Sequence, residues 1–298
     1  MRTCCLAPVS VLLAGALALP AQAEIGKLPL TGGVSSIDGA AGGGLTPWAM
    51  AGTQATAGQW GLSAFATALS TQGHRLQAGG LALGWNERLE ISLAQQRFDT
   101  GDTGAALGLP GLVLSQHIVG AKWQIAGDAI LDSDRWMPAV AVGLLAKRLD
   151  AGGLAPTLAV LGARRSGTDL YVSATKLLLE PGLLLNATLR ATRANQGGLL
   201  GFGSAARHRH TLQPEFSAAW LLRRNLALGA EYRFKPDHLN PSALGAGLAE
   251  DDWADVFIAW APHAQLSLTA AWVDLGRIVP AVDARRQRGA YLSLQAAF

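Results

Sequence analysis

Cysteine occurs at two positions, Cys4 and Cys5, and nowhere after them. From residue 6 onward a disulfide framework, a thiolate metal centre and a cysteine nucleophile are therefore excluded. Charge is also scarce, with Asp, Glu, Lys and Arg making up only 15% of the 298 residues. Basic and acidic residues nearly balance, 24 against 21, and no Lys/Arg stripe runs through the chain. A nucleic-acid partner is not expected from such a balance. After residue 23 no stretch of 18 apolar residues exists, so no helix is expected to span a membrane. Yet hydrophobic residues are 50% of the chain and its mean hydropathy is +0.23. That apolar surface must be accommodated in some other way.

What is present starts with MRTCCLAPVSVLLAGALALPAQA. One positive charge at Arg2, an apolar run through Leu19 and the small-x-small sequence Ala21-Gln22-Ala23 predict a secretory signal peptide over 1–23. Cleavage is expected between Ala23 and Glu24, which removes both cysteines. An exported, apolar, glycine-rich chain without a spanning helix is expected to cross the outer membrane as a closed β-barrel. There every backbone group pairs between strands.

Alternating apolarity supports this reading. Strands are predicted at 59–70, 75–85, 88–98, 114–126, 135–147, 168–178, 183–193, 212–222, 225–234, 251–261, 264–274 and 287–298. Each has the length needed to cross a bilayer at a tilt. Every second connection is short, and most of the others are long. An antiparallel up-and-down barrel of about twelve strands has this asymmetry, with tight periplasmic turns and longer external loops. Trp85, Trp123, Trp136, Trp220, Trp260 and Trp272 are expected at outward strand ends, as an interfacial girdle. A soluble β-sandwich also alternates, but it does not require the loop asymmetry. The last strand alternates up to Phe298. Phe298 is expected to complete a lipid-facing row and to serve the barrel-assembly machinery as an assembly signal.

Three stretches, GKLPLTGGVSSIDGAAGGGLTPWA (26–49), SGTDLYVSATK (166–176) and TRANQGGLLGFG (192–203), resemble an uncharacterised proteobacterial outer-membrane family, domain of unknown function 3034. The resemblance spans essentially all of the chain after the signal peptide. It implies export and a barrel, but no activity and no functional residue.

Three regions divide the chain: the signal peptide, a Gly-rich segment at 24–58, and the barrel at 59–298. Gly32, Gly33, Gly39, Gly42, Gly43 and Gly44 have no strand-to-helix context and no lysine partner, so a phosphate loop is not indicated. The segment reads either as a leader or as a lumenal plug whose glycines allow close backbone approach. The expected lumen-lining set is Glu90, Lys122, Arg190, Glu215, Glu231, Arg233 and Asp255, joined by Gln124, Gln265, Ser267, Thr269, Tyr291, Ser293 and Gln295. Its charges are mixed, unlike the single-sign ring of a selective pore.

Other candidates are weaker. Asp99-Thr100-Gly101 and Asp102-Thr103-Gly104 lie in one loop, where turn chemistry accounts for them. His208-Arg209-His210 has no recognisable third metal ligand, and Asn186-Ala187-Thr188 lies within a strand. A short helix is expected near Pro156, with Leu154, Leu158 and Leu161 on one stripe. His117 and Ser115 share a strand face, as a lipid-modifying barrel enzyme would need, but lack a visible third member. The sequence thus predicts restricted passive passage of a small solute, without cofactor, metal or catalytic residue. The alternatives are a non-conducting structural or surface barrel and an outer-membrane lipid-modifying enzyme. The expected partners are outer-membrane lipid, the assembly machinery and the solute.

Overall fold

The alternating segments pair in chain order into a closed antiparallel barrel of twelve strands. A computed structural model describes residues 29–30, 33–129, 136–240, 242 and 246–298. The expected signal peptide and Gly32 lie outside the described residues. A two-residue hairpin comes first, β1 (Val34–Ser35) and β2 (Ala41–Gly42). The wall follows: β3 (Trp60–Thr71), β4 (Arg75–Trp85), β5 (Leu89–Asp99), β6 (Val113–Ala126), β7 (Ala139–Asp150) and β8 (Ser166–Leu178). It continues with β9 (Leu183–Thr192), β10 (Thr211–Arg223), β11 (Leu226–Arg233), β12 (Trp253–His263), β13 (Leu266–Asp274) and β14 (Arg288–Ala297). Among the described residues, no helix is long and apolar enough to cross a membrane.

Closure runs through β14 and β3, in register from Gly289 opposite Thr71 to Ala297 opposite Ser63. Phe298 extends the seam by two backbone bonds to Leu62, donating at 2.7 Å and accepting at 3.0 Å. The barrel wall leaves no strand edge open, which removes the template for edge-to-edge association.

The connections differ at the two rims. One rim carries tight turns after β4, β8, β10 and β12, while the connection after β6, expected to be short, spans 127–138. At Trp85–Arg88 both central residues, Asn86 and Glu87, have positive φ (55° and 57°), as a two-residue turn matched to strand twist requires. The opposite rim carries the long loops after β5, β7, β9, β11 and β13. The short helix expected near Pro156 forms at Ala155–Val160 and buries Leu158.

Period-2 geometry sets the two faces. On β9, Leu184, Asn186, Thr188, Arg190 and Thr192 are buried inside, while Leu185 and Leu189 are exposed outside. The outer face of β10 is apolar from Leu212 through Pro214, Phe216, Ala218 and Trp220 to Leu222. Trp60, Trp85, Trp123, Trp220 and Trp260 lie exposed toward the turn rim, and Trp272 toward the loop rim. One of the six tryptophans expected in the girdle departs from it. Trp136 precedes β7 and is 99% exposed, because β7 begins at Ala139, four residues later than the alternation indicated. Trp253 turns inward and is buried.

Candidate functional site inside the barrel

A twelve-stranded wall encloses more space than its own side chains fill. Here the N-terminal segment enters that space. Backbone bonds fold it into a compact hairpin: Ser36 donates to Ala40, Ile37 to Gly44, Gly43 to Thr46 and Trp48 to Ala41. Nearly every residue from Val34 to Ala55 is buried. At Gly33 and Gly39 the chain needs glycine, with φ of +72° and +90°. Gly43 needs it for space, since an added Cβ would overlap the Glu231 carboxylate. Gly42, Gly44 and Gly52 likewise bring backbone close to Thr46, Tyr291 and Ala41.

The wall holds this hairpin with polar side chains aimed at its backbone. Glu90 accepts from the amides of Ala41 and Gly52, both at 2.9 Å, and pairs with Lys122 at 3.1 Å. Lys122 also donates to the Ala41 carbonyl at 2.9 Å. Glu231 accepts from the Leu45 amide at 2.7 Å and from the Thr46 hydroxyl. Ser173, Asn186 and Thr188 all donate to the Pro47 carbonyl. Trp48 donates its indole N–H to Ser217 at 3.1 Å. These anchors come from β5, β6, β8, β9, β10 and β11, half of the twelve wall strands.

Above the anchors lies an ion-pair belt. Arg190 forks onto Glu215 at 2.6 and 3.1 Å and reaches Asp169 at 3.4 Å. Lys147 pairs with Asp169 at 3.0 Å, and Arg233 with Glu215 at 3.2 Å. The sixth member is Asp38, from the tip of the hairpin. It meets Lys147 at 3.0 Å, Arg233 at 3.1 Å and Arg190 at 3.8 Å. Gln96 adds a hydrogen bond to its Oδ1 at 3.2 Å. Burial by itself pushes the Asp38 carboxyl up, but Lys147, Arg233 and Arg190 together hold it well below the usual carboxylate range. Asp38 therefore stays ionised at physiological pH.

Toward the loop rim the interior becomes apolar. Leu69, Phe98, Leu114 and Leu149 from the wall pack with Leu154, Leu158, Leu199, Phe202, Leu239 and Ile278 from the long loops. The 193–210 loop dips inward on Gln196, held at positive φ (46°) by three partners. Its amide donates to Glu250 at 2.8 Å, its Nε2 to the Ile278 carbonyl at 3.1 Å, and its Oε1 accepts from Lys235 at 2.6 Å. Burial raises Glu250 to about 7 and lowers Lys235 to about 8. At the turn rim, Trp48, Ala49 and Met50 pack against Leu177, Leu184 and Phe257. Between hairpin and wall at that end remain crevices with room for roughly one or two waters.

All seven charged residues expected to line the lumen point inward and are buried. Arg190, Glu215 and Arg233 meet in the belt. Glu90 with Lys122, and Glu231, serve the hairpin instead. Asp255 lies opposite Glu231 across the β11–β12 pair. Sequence reasoning missed Asp38, Lys147 and Asp169. Lys147 ended the fifth predicted strand, 135–147, whereas β7 runs from Ala139 to Asp150. Asp38 carries no periodic signal.

The remaining candidates disperse. Asp99 accepts from the Gly101 amide at 3.0 Å, and the loop turns there into the helix Gly101–Ala106. His208 and Arg209 are exposed, and His210 contacts the Thr168 carbonyl. Ser115 and His117 lie on the outer face of β6, and no hydrogen bond joins them among the described residues. Across the strands, His117 faces Gln95 and Arg148, while Ser115 faces Arg97 and Asp150. Near the loop rim the outer surface of β4–β7 is therefore polar, in contrast to β10.

A closed up-and-down barrel of twelve strands, apolar outside and polar at mid-lumen, is an outer-membrane porin-like fold. Solved structures share it. The NanC porin aligns over 80% of this chain and 100% of its own, with a TM-score of 0.51 and 9% identity. The KdgM porin, solved in complex with disordered oligogalacturonate, aligns over 79% and 99%, with a TM-score of 0.50 and 8% identity. Outer membrane phospholipase A from Escherichia coli is more distant, at a TM-score of 0.39 and 7% identity over 79% of this chain and 89% of its own. At such identities the likeness is one of fold. The chain belongs to the DUF3034 family, described as a protein of unknown function, which it matches over residues 31–295. No curated protein matches it in sequence.

Proposed function

We propose that the protein is a gated outer-membrane channel for a small solute, closed at rest by its own N-terminal segment. The observation that carries this reading is how the hairpin is held. Its backbone is bound by wall side chains such as Glu90, Glu231 and Thr188, and no hairpin strand joins the barrel sheet. Such contacts can be exchanged for water without breaking the wall. In this reading the signal peptide at 1–23 is cleaved, the turn rim faces the periplasm, and the hairpin enters from there. Phe298 is read by the assembly machinery, so its deletion should reduce the yield of assembled barrel far more than the stability of barrels that do form. Equal yields would sink that role.

The gate is tested in planar bilayers by comparing the full protein with a variant lacking Gly26–Gly44. The expected result is a rise in single-channel conductance in protein that still shows heat-modifiable migration. Unchanged conductance would place the constriction in the apolar loop layer and remove the hairpin as the gate. A second reading has its own support, since the Arg190–Glu215 fork and the loop layer stop the lumen above the hairpin. A folded protein that never conducts in either form would favour that structural role.

A further inference from the structure

The belt has three cations, Lys147, Arg190 and Arg233, but only two carboxylates from the wall, Asp169 and Glu215. Within the belt, the wall residues alone leave one buried cation without a carboxylate of its own. Asp38 balances it, and Asp38 belongs to a hairpin outside the barrel sheet. Its two oxygens are divided between opposite donors. Oδ1 takes Lys147 and the Gln96 amide, while Oδ2 faces Arg233 and Arg190. Two hydrogen-bond donors, Lys147 and Gln96, and two further guanidinium charges, Arg233 and Arg190, thus converge from β7, β5, β11 and β9 on one carboxylate. A buried cation set short by one charge is costly unless an anion occupies it.

We infer that Lys147, Arg190, Arg233 and Gln96 form a carboxylate-binding site, whose resident occupant Asp38 is exchanged for the carboxylate of a small organic acid. This rests on the channel reading and names its solute class. The solute's carboxylate takes over the two donors and the two guanidinium charges, Asp38 leaves with the hairpin, and the site's charge stays balanced throughout. The ligand releases the gate by competing with the protein's own side chain. Chloride carries the charge but lacks the two-oxygen geometry that a guanidinium and an amide engage on opposite sides. A neutral amide of the same shape has no charge to offer.

The test uses the full chain and propionate, with propionamide as the neutral control. Asp38→Ala empties the site of its resident carboxylate. Propionate should then produce a saturable rise in unfolding temperature that wild type lacks, propionamide should produce none, and Lys147→Met added to Asp38→Ala should abolish the rise. If Asp38→Ala does not fold, the wild-type wall still reports. A single cysteine at Ala49, buried on the segment at 1% exposure, is introduced with Cys4 and Cys5 absent. Maleimide labelling of it should accelerate several-fold with propionate and not with propionamide. Indifference to propionate in both measurements, or an equal response with Lys147→Met, overturns the site. Neither arm reads current. A barrel that never conducts but responds to propionate retains the site and loses the channel, and a conducting barrel blind to propionate does the reverse.

Discussion

Replacing Arg190 with methionine is expected to destabilise the barrel by about 3–5 kcal/mol, the usual consequence of removing one partner from a buried ion pair. Arg190 is 1% exposed and holds Glu215 through two bonds, Asp169 through a third, and lies 5.5 Å from the Tyr171 ring. Methionine supplies similar bulk without charge. It leaves Glu215 with Arg233 alone and Asp169 with Lys147 and Thr192. Equilibrium unfolding in urea, in lipid or detergent, reads the loss. Adding Glu215→Gln should recover part of it, because the stranded carboxylate is neutralised in the same step. A change near zero for Arg190→Met would show that water reaches the belt freely, contrary to the burial seen here.

Gly43→Val is expected to raise conductance to a level close to that of the segment deletion. The added side chain would occupy the position of the Glu231 carboxylate. Glu231 cannot simply swing away, because it accepts from the Leu45 amide and the Thr46 hydroxyl. Either it releases the hairpin or the hairpin does not seat. Gly44→Ala offers a neighbouring contrast, since its new Cβ would approach the Tyr291 hydroxyl at 3.2 Å, a contact relieved by a small shift. Bilayer recordings of the two variants should separate clearly. Equal conductance in Gly43→Val and wild type, with both assembled, would contradict a stopper seated on Glu231.

The wall was legible in the sequence because one face meets lipid and the other meets polar partners, which enforces a period of two. The facing of β9 and β11 followed from that alone, including the inward Arg190, Glu231 and Arg233. Strand ends were less secure. At β7 the strand runs from Ala139 to Asp150 rather than over 135–147; Lys147, on the face opposite Trp136, lay at the last position of the predicted strand and was not picked out as a lumen residue. The hairpin was visible as a cluster of glycines, but its contacts were not. A glycine run states that backbone approaches something closely, without saying what. Asp38 is one acidic residue among glycines and alanines, and its three cations lie 109 to 195 positions away along the chain. The apolar loop layer was missed in a similar way. Leu199, Phe202, Leu239 and Ile278 sit in connections where no period marks a buried face.

The polar outer surface of β4–β7 has a consequence for the bilayer itself. On β10 the outward apolar row spans Leu212–Leu222, about 24 Å of membrane depth at about 3.4 Å per residue and a tilt of about 45°. That is close to the hydrophobic height usual for such barrels. On β6 the outward apolar row runs only from Val119 to Ile125 below the exposed His117, about 14 Å by the same measure. A flat bilayer of uniform thickness cannot match both sides. Lipids thin beside β6, or the barrel axis leans until the short side fits. Either adjustment brings the headgroup phosphates of the leaflet at the loop rim toward Arg97 and Arg148, so the protein has a preferred azimuth toward its surrounding lipid.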